Sequence, residues 1–303
     1  MSQSAVKNIF VIGSLNMDLV IEAPYIPSEG ETLCGSNFMT NCGGKGANQS
    51  AACGKLGGKV YHCGAVGDDA FGNELIENLN KYGVNTDFIK REIAMTSGIA
   101  VIIVSEGNNR IILDNGANAL LKKEDVDRAL ELARSGDVYL TQLENPIDVI
   151  GYGMQRAKEK GMFVILNPAP ANKDILPYVK YADLITPNET ELAIFRGRSA
   201  LFKAGVQTII TTLGSRGFEI AKNDGTIALY PCPEVSAVDT TAAGDTLCGG
   251  LAVGISMGKS IEESAIFGST AASIACTRRG AQQSIPTLDE VNAFIEQQRK
   301  KVK

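Results

Sequence analysis

VYLTQLENPIDVIGYGMQRAKEKGMFVILN (138–167) reads as a complete strand–helix–strand unit. Its ends, VYLTQL (138–143) and FVILN (163–167), are short runs rich in Val, Ile and Leu, and 147–160 between them reads as a helix. Strands with few polar breaks suit a parallel sheet buried on both faces, and a helix is the usual crossover between parallel neighbours. The same alternation extends outward. NIFVIG (8–13), a helix near 46–57, KVYHCGAVG (59–67) and a helix near 71–82 precede the unit, and DLITPN (183–188) and TIITTL (208–213) follow it. Helical segments near 245–257, 261–277 and 287–300 close the chain. The expected fold is α/β: one domain over 1–303, with a mostly parallel central sheet and helices on both faces.

Two stretches break this rhythm. Residues 15–41 hold DLVIEA and ETLCGS, with Pro24, Pro27 and Gly30 between them. Residues 97–114, SGIAVIIVSEGNNRIILD, are two β-branched runs around a Gly-Asn-Asn turn, a hairpin signal. No helix-like segment covers either stretch. Together they are expected to form a small separate sheet that serves as a lid over a site, a dimer surface, or both.

With 44% hydrophobic residues in 303, the chain can bury a large core. Its formal net charge of −5 argues against a nucleic-acid partner, and the basic end QQRKKVK (297–303) reads as a solvated helix end. No apolar run approaches the length of a membrane span, and MSQSAVKNIFVIGS reads as a first strand rather than a signal peptide. The seven cysteines (34, 42, 53, 63, 232, 248, 276) form no C-x-x-C pair, and His62 is the sole histidine. A Cys/His zinc site is therefore disfavoured, and reduced thiols point to a cytoplasmic protein. His62, within VYHCGAV, reads as a packed strand residue.

The chemistry-bearing segments lie where strands end. In VDTTAAGDTLCGG (238–250), Thr241 to Gly244 lead into Asp245 at a helix start. Asp is a common N-cap, but small residues beside a carboxylate also suit a close ligand. NCGGKGANQSAA (41–52) sets three glycines around Lys45 and opens into a helix, either a tight turn or a ligand loop. Gly13-Ser-Leu-Asn lacks the G-x-G-x-x-G dinucleotide fingerprint. GISMGKS (254–260) falls one residue short of a P-loop, and a helix end at Gly258 with a Ser260/Glu263 capping box explains it. Asn16, Asp18, Glu144, Asn188 and Glu191 follow strands, at the edge where open α/β sheets bind ligands.

GSLNMD (13–18), GGKGANQ (43–49), TQLENP (141–146), NPAPA (167–171), TPNETE (186–191), TLGSRG (212–217) and VDTTAAGDT (238–246) occur in an order that resembles the ribokinase/PfkB family of sugar kinases. The likeness covers nearly the whole chain, to TRRGAQQSIP (277–286). It implies ATP-dependent phosphorylation of the 5-hydroxyl of D-ribose. By that likeness Asn16, Asp18, Gly44, Lys45, Gly46, Asn48 and Glu144 hold the sugar, since each buried hydroxyl needs a partner. Asn188, Thr212, Gly214, Ser215, Arg216, Gly217, Gly244 and Ser269 face the nucleotide. Glu191 meets Mg²⁺ through water, and Asp239, Thr241, Ala275, Arg278, Gly280 and Ser284 hold K⁺. Ala242, Ala243 and Gly244 offer N–H groups to the migrating phosphoryl, and Asp245 accepts the proton of the hydroxyl. Because phosphoryl transfer has a loose transition state, that proton leaves late, and Asp245 mainly orients the hydroxyl.

The likeness also implies a homodimer through the 15–41 and 97–114 sheet. Two departures stand out: ELAIFRGRSALFKAGVQ (191–207) is about a dozen residues shorter than the family pattern, and Ser269 replaces a larger polar residue beside the base. Deoxyribose or nucleoside phosphorylation is the neighbouring specificity, though SLNMD with Asn16 is more like ribose-phosphorylating members. A catalytically silent sugar-binding regulator is the rival class, and the intact loop around Asp245 speaks against it.

Overall fold

The computed structural model describes residues 6–106 and 108–301. Gly107, the first residue of the expected hairpin turn, and the chain ends at 1–5 and 302–303 lie outside the described residues. The chain begins β1 (Asn8–Ile12), β2 (Asn16–Glu22), β3 (Ser36–Gly43), α1 (Lys45–Lys55), β4 (Lys59–Gly67), α2 (Ala70–Lys81), β5 (Asn85–Glu92). Next come β6 (Gly98–Ser105), β7 (Asn108–Asp114), α3 (Lys123–Leu130), β8 (Val138–Thr141), α4 (Ile147–Glu159), β9 (Phe163–Leu166) and β10 (Leu184–Ile185). The last part holds α5 (Glu189–Ile194), α6 (Arg198–Lys203), β11 (Thr208–Thr212), β12 (Phe218–Lys222), β13 (Ile227–Tyr230), α7 (Ala243–Ser256), α8 (Ile261–Ala275) and α9 (Leu288–Lys301).

Among the described residues, nine strands form one sheet in the order β13-β12-β11-β10-β9-β8-β1-β4-β5. It is parallel from β11 to β5, with β12 and β13 antiparallel at one edge. Period-two alternation feeds two cores: Ile9 and Val11 of β1 enter one, Phe10 and Ile12 the other. The first core packs residues of α1, α7, α8 and α9, and the second those of α3, α4 and α6. Helices thus cover both faces, as the apolar strands require. α7 is buried almost all round and packs closely against α8, where a Cβ at Gly250 would meet Gly268 Cα at 2.6 Å. From β1 the chain winds first to β4 and β5, then back through β8 to β11, so the winding direction reverses between β1 and β8. The crevice beyond the C-terminal ends of those two strands is the switch point where such sheets bind ligands.

Among the described residues the second sheet has four strands, ordered β3-β2-β6-β7, with β2 and β6 parallel. Residues 98–114 form the expected hairpin, but Asn108 and Asn109, expected in its turn, are the first residues of β7 and pair with Ser105 and Val104. The expected strand at ETLCGS (31–36) does not form; β3 starts at Ser36 and reaches Gly43, two residues past the expected limit of 41. The partner decides this. β2 pairs from Asn16↔Gly43 to Glu22↔Ser36 across a bulge and then ends, so residues before 36 have no strand to bond. β5, β12 and β13 were not anticipated: NTDFIKRE is polar and half-exposed, and the β12–β13 hairpin lies at the sheet edge. No described helix is long and apolar enough to cross a membrane, and all seven cysteines are unpaired. His62 is fully buried on β4, its Nδ1 at 2.7 Å from Ser50 Oγ. GISMGKS is the end of α7 and the start of α8, where Ser260 and Glu263 make a capping box.

Candidate active site

Two helix starts converge beside the switch point. α1 opens at Gly44, which takes φ +87°, a left-handed conformation that glycine adopts freely. Behind it, the Lys45 N–H donates to Glu144 Oε2 at 3.0 Å, and Gly46 N–H to Ser14 Oγ at 3.3 Å. Ser14 in turn donates to Glu144, so the loops after β1 and β8 are tied to the first turn of α1. α7 opens at Ala242, which holds φ +58° without being glycine. Thr246 locks that turn: its N–H and Oγ1 both donate to the Ala242 carbonyl at 2.8 Å.

Asp245 sits in the first turn of α7, 7% exposed. Its Oδ2 accepts from Asn48 Nδ2 at 2.9 Å and its Oδ1 from Gln49 Nε2 at 3.0 Å, both from α1. The Ala243 N–H donates to Thr240 O at 3.2 Å. The N–H groups of Gly244 and Asp245 have no protein acceptor among the described residues. A Cβ added at Gly244 would meet no atom within 4 Å outside its neighbours. Packing does not require that glycine, and open space lies in front of it.

That space is double. A cavity of about 230 Å³ is lined by Lys45, Asn188, Glu191 and Asp245 among others, with Asn167, Thr186, Thr212 and Thr240 adding oxygen-bearing walls. A larger cavity of about 580 Å³ adjoins it, mostly apolar, with Gly214, Ser215, Gly217, Ser269 and the 232–237 segment on its walls. Thr212, Thr240, Ala243 and Gly244 line both. A polar chamber ending at a carboxylate therefore communicates, across a helix N-terminus, with an apolar chamber suited to a flat base.

Asn16 and Asp18 stand on the same face of β2. Asn16 is buried, its Oδ1 accepting from Asn118 Nδ2 at 2.8 Å. Burial, then the charges of Glu144 and Asp245, push the Asp18 carboxyl up to about 7. Burial favours the neutral amine of Lys45, but Asp245, Glu144 and Glu191 outweigh it and hold the amine above its ordinary range. Burial also raises Glu191, against the Asn188 N–H and Lys45. Asn188 and Glu191 cap one another at the start of α5.

The expected K⁺ residues are brought together in part. Asp239 accepts from Thr241 N and Oγ1 at 2.9 and 2.7 Å and from Gly280 N at 2.9 Å, which joins the 239–241 and 280 loops. Those bonds outweigh the burial that would raise Asp239 and hold it below its ordinary range. Arg278 turns its guanidinium to Glu290, so only its backbone is left for that loop. Ser284 is buried and donates to Ala281 O, and the Ala275 carbonyl accepts from Arg278 N. Arg216 is not on either cavity wall; it pairs with Glu189 at 2.6 Å in the open. Among the described residues, no group of three or more His, Cys, Asp or Glu side chains is arranged to hold a metal directly.

Sequence reasoning missed Gln49, Asn167, Thr186 and Thr240. Asn167 and Thr186 open the segments NPAPA and TPNETE at strand ends, so position could have singled them out. Gln49 closes the quoted segment GGKGANQ on α1, but nothing in that segment gave it a role of its own.

The chain is 38% identical to the ribokinase of Haemophilus influenzae, covering 96% of this chain and 99% of that one. It is 35% identical to the deoxyribokinase of Salmonella typhi, covering 95% and 98%. The solved structure of Arabidopsis thaliana ribokinase complexed with ribose and ATP matches with a TM-score of 0.85, at 31% identity, covering 95% and 98%. A profile of the pfkB family carbohydrate kinases matches residues 6–288. With two helix starts framing one buried carboxylate on the wall of the smaller of two joined cavities, and with relatives of this similarity along its whole length, the chain belongs to the pfkB family of carbohydrate kinases.

Proposed function

We propose that this protein transfers the γ-phosphoryl group of ATP to the 5-hydroxyl of D-ribose. The observation that carries the reading is the position of Asp245, on the wall of the polar cavity and one residue beyond Gly244, where that cavity joins the apolar one. The relatives at 36–39% identity named as ribokinases support the choice of sugar.

In this reading, Asn16, Asp18, Asn48, Glu144 and the Gly44–Gly46 turn recognise the sugar hydroxyls. Asn16 has its oxygen engaged by Asn118, so it offers an NH₂ donor, while Asp18 offers acceptors. The adenine occupies the apolar cavity beside Ser269, with Gly214, Ser215 and Gly217 at its rim. The phosphates run towards Gly244, where the free N–H groups of Gly244 and Asp245 and the positive end of α7 favour the charge of the migrating group. Asp245 orients the hydroxyl in line and takes its proton as the bond to phosphorus forms. Lys45 reaches the polar cavity and balances the carboxylates around it.

Two cations complete the proposal. Asn188, Glu191 and Thr212 form an oxygen-rich wall that would hold Mg²⁺ through water, and the ion would supply positive charge to the nucleotide phosphates. Asp239, with spare lone pairs beyond its three N–H and O–H donors, and the carbonyls around 275–284 suit K⁺. Location in the cytoplasm and pairing of two copies through the small sheet belong to the same reading.

The test is a steady-state assay of ribose, 2-deoxyribose and nucleosides with ATP and Mg²⁺, with and without K⁺. Ribose is expected to give the highest kcat/KM, and K⁺ to raise it. A preference for 2-deoxyribose, the sugar named for the Salmonella relative, overturns the assignment. Ribose binding without ADP release favours the silent regulator instead.

A further inference from the structure

Gln49 is completely buried on α1, one residue past Asn48. Its amide is fully committed. Nε2 donates to Asp245 Oδ1 at 3.0 Å and to Asn167 Oδ1 at 3.1 Å, and Oε1 accepts from Gln142 Nε2 at 2.6 Å. An amide NH₂ has two hydrogens, so both are used. Turning the group over would set its oxygen against the Asp245 carboxylate. Gln142 forbids that turn, because only its NH₂ faces Gln49.

The orientation has a cost. Gln142 Oε1 is buried with no hydrogen-bond partner, and an orphaned acceptor is destabilising. That oxygen lies against Gly13, where a Cβ would meet it at 2.2 Å. An apolar side chain at 142 would fill the same space without the penalty, so packing does not explain a glutamine there. On the far side Asn167 is fixed by its own NH₂, which donates to Thr186 O at 3.1 Å.

We propose that Gln49, locked by Gln142, is a positioning residue for Asp245. Gln49 holds Oδ1 while Asn48 holds Oδ2, so the carboxylate keeps one rotamer and presents its remaining lone pairs to the sugar hydroxyl. The inference rests on the reading of Asp245 as proton acceptor. The charged and titratable groups that face Asp245 are Lys45 on α1, Asp18 on β2, Glu191 on α5 and Cys248 on α7. None of them changes in the variants below.

The experiment measures kcat, both KM values and the pH dependence of kcat for Gln49→Leu, Gln142→Leu, the double variant, Gln49→Glu and Asp245→Asn, with thermal melts to establish folding. Gln49→Leu is expected to lower kcat by about 10- to 100-fold, the scale of a misplaced reacting group, with KM values near wild type. The double variant is expected to be no worse than Gln49→Leu, since the two glutamines act as one device. Gln49→Glu puts a like charge beside Asp245 and moves the acid limb of kcat to higher pH. A folded Gln49→Leu protein with kcat within about twofold of wild type, or losses that add in the double variant, overturns the proposal. If Asp245→Asn itself turns over normally, the reading of Asp245 fails; if it is impaired while the Gln49 variants are normal, only the positioning role fails.

Discussion

Burial and two neighbouring carboxylates keep the Asp18 carboxyl protonated up to about pH 7. In the unfolded chain the group ionises near 3.8. Between those values the folded state binds more protons than the unfolded one, so stability falls as pH rises through this window and is level outside it. Asp18→Asn is therefore expected to raise the melting temperature at pH 8 by about 2 °C or more and to leave it unchanged below about pH 4. The same variant removes an acceptor for a sugar hydroxyl and is expected to raise the ribose KM by about 10- to 100-fold. Melts across pH, set beside kinetics, check both halves; an Asp18→Asn protein that melts lower than wild type at pH 8 contradicts the account. Asp18 was legible in the sequence because it follows a buried strand at ligand-binding spacing. Gln49 was not, because its partner Asp245 lies 196 positions away and only the tertiary fold makes them neighbours.

The first turn of α7 is the element on which the chemistry turns. Gly244 has ordinary helical geometry there and empty space in front of it, so alanine fits the backbone. Gly244→Ala is expected to fold with equal or slightly greater stability, by about 0.4–1 kcal/mol. Its methyl group projects where both cavities meet, and kcat is expected to fall at least about tenfold. A thermal melt with a kinetic assay separates the two effects; unchanged kinetics contradict the anion site. Among elements, the buried parallel strands were legible because apolar runs have no other home. β3 was read too early in the chain, since its limits follow from pairing with β2 and not from its own mostly exposed residues. The short 191–207 stretch spans most of α5 and all of α6, six residues each, and still delivers the chain to β11.

At the scale of the whole molecule, the sheet reversal between β1 and β8 sets the site, and the small sheet stands beside it. That sheet leaves Phe38, Met39, Ile111 and Ile112 exposed, at 64, 48, 60 and 67%. An uncovered apolar sheet of this kind invites pairing. Light scattering is expected to give a dimer, and Ile112→Lys a monomer; a monomeric wild-type protein at assay concentration contradicts the pairing. The α/β class and the small sheet were legible from alternation and its two interruptions, whereas the two cavities join where the end of β11 at Thr212 meets Thr240 and the first turn of α7, a meeting that no local pattern encodes. All of these parts converge on one carboxylate. The turnover of Asp245→Asn with ribose and Mg²⁺–ATP decides the matter: kcat is expected to fall by about 10²–10⁴-fold while ribose still binds, and near-normal turnover would remove Asp245 from the chemistry.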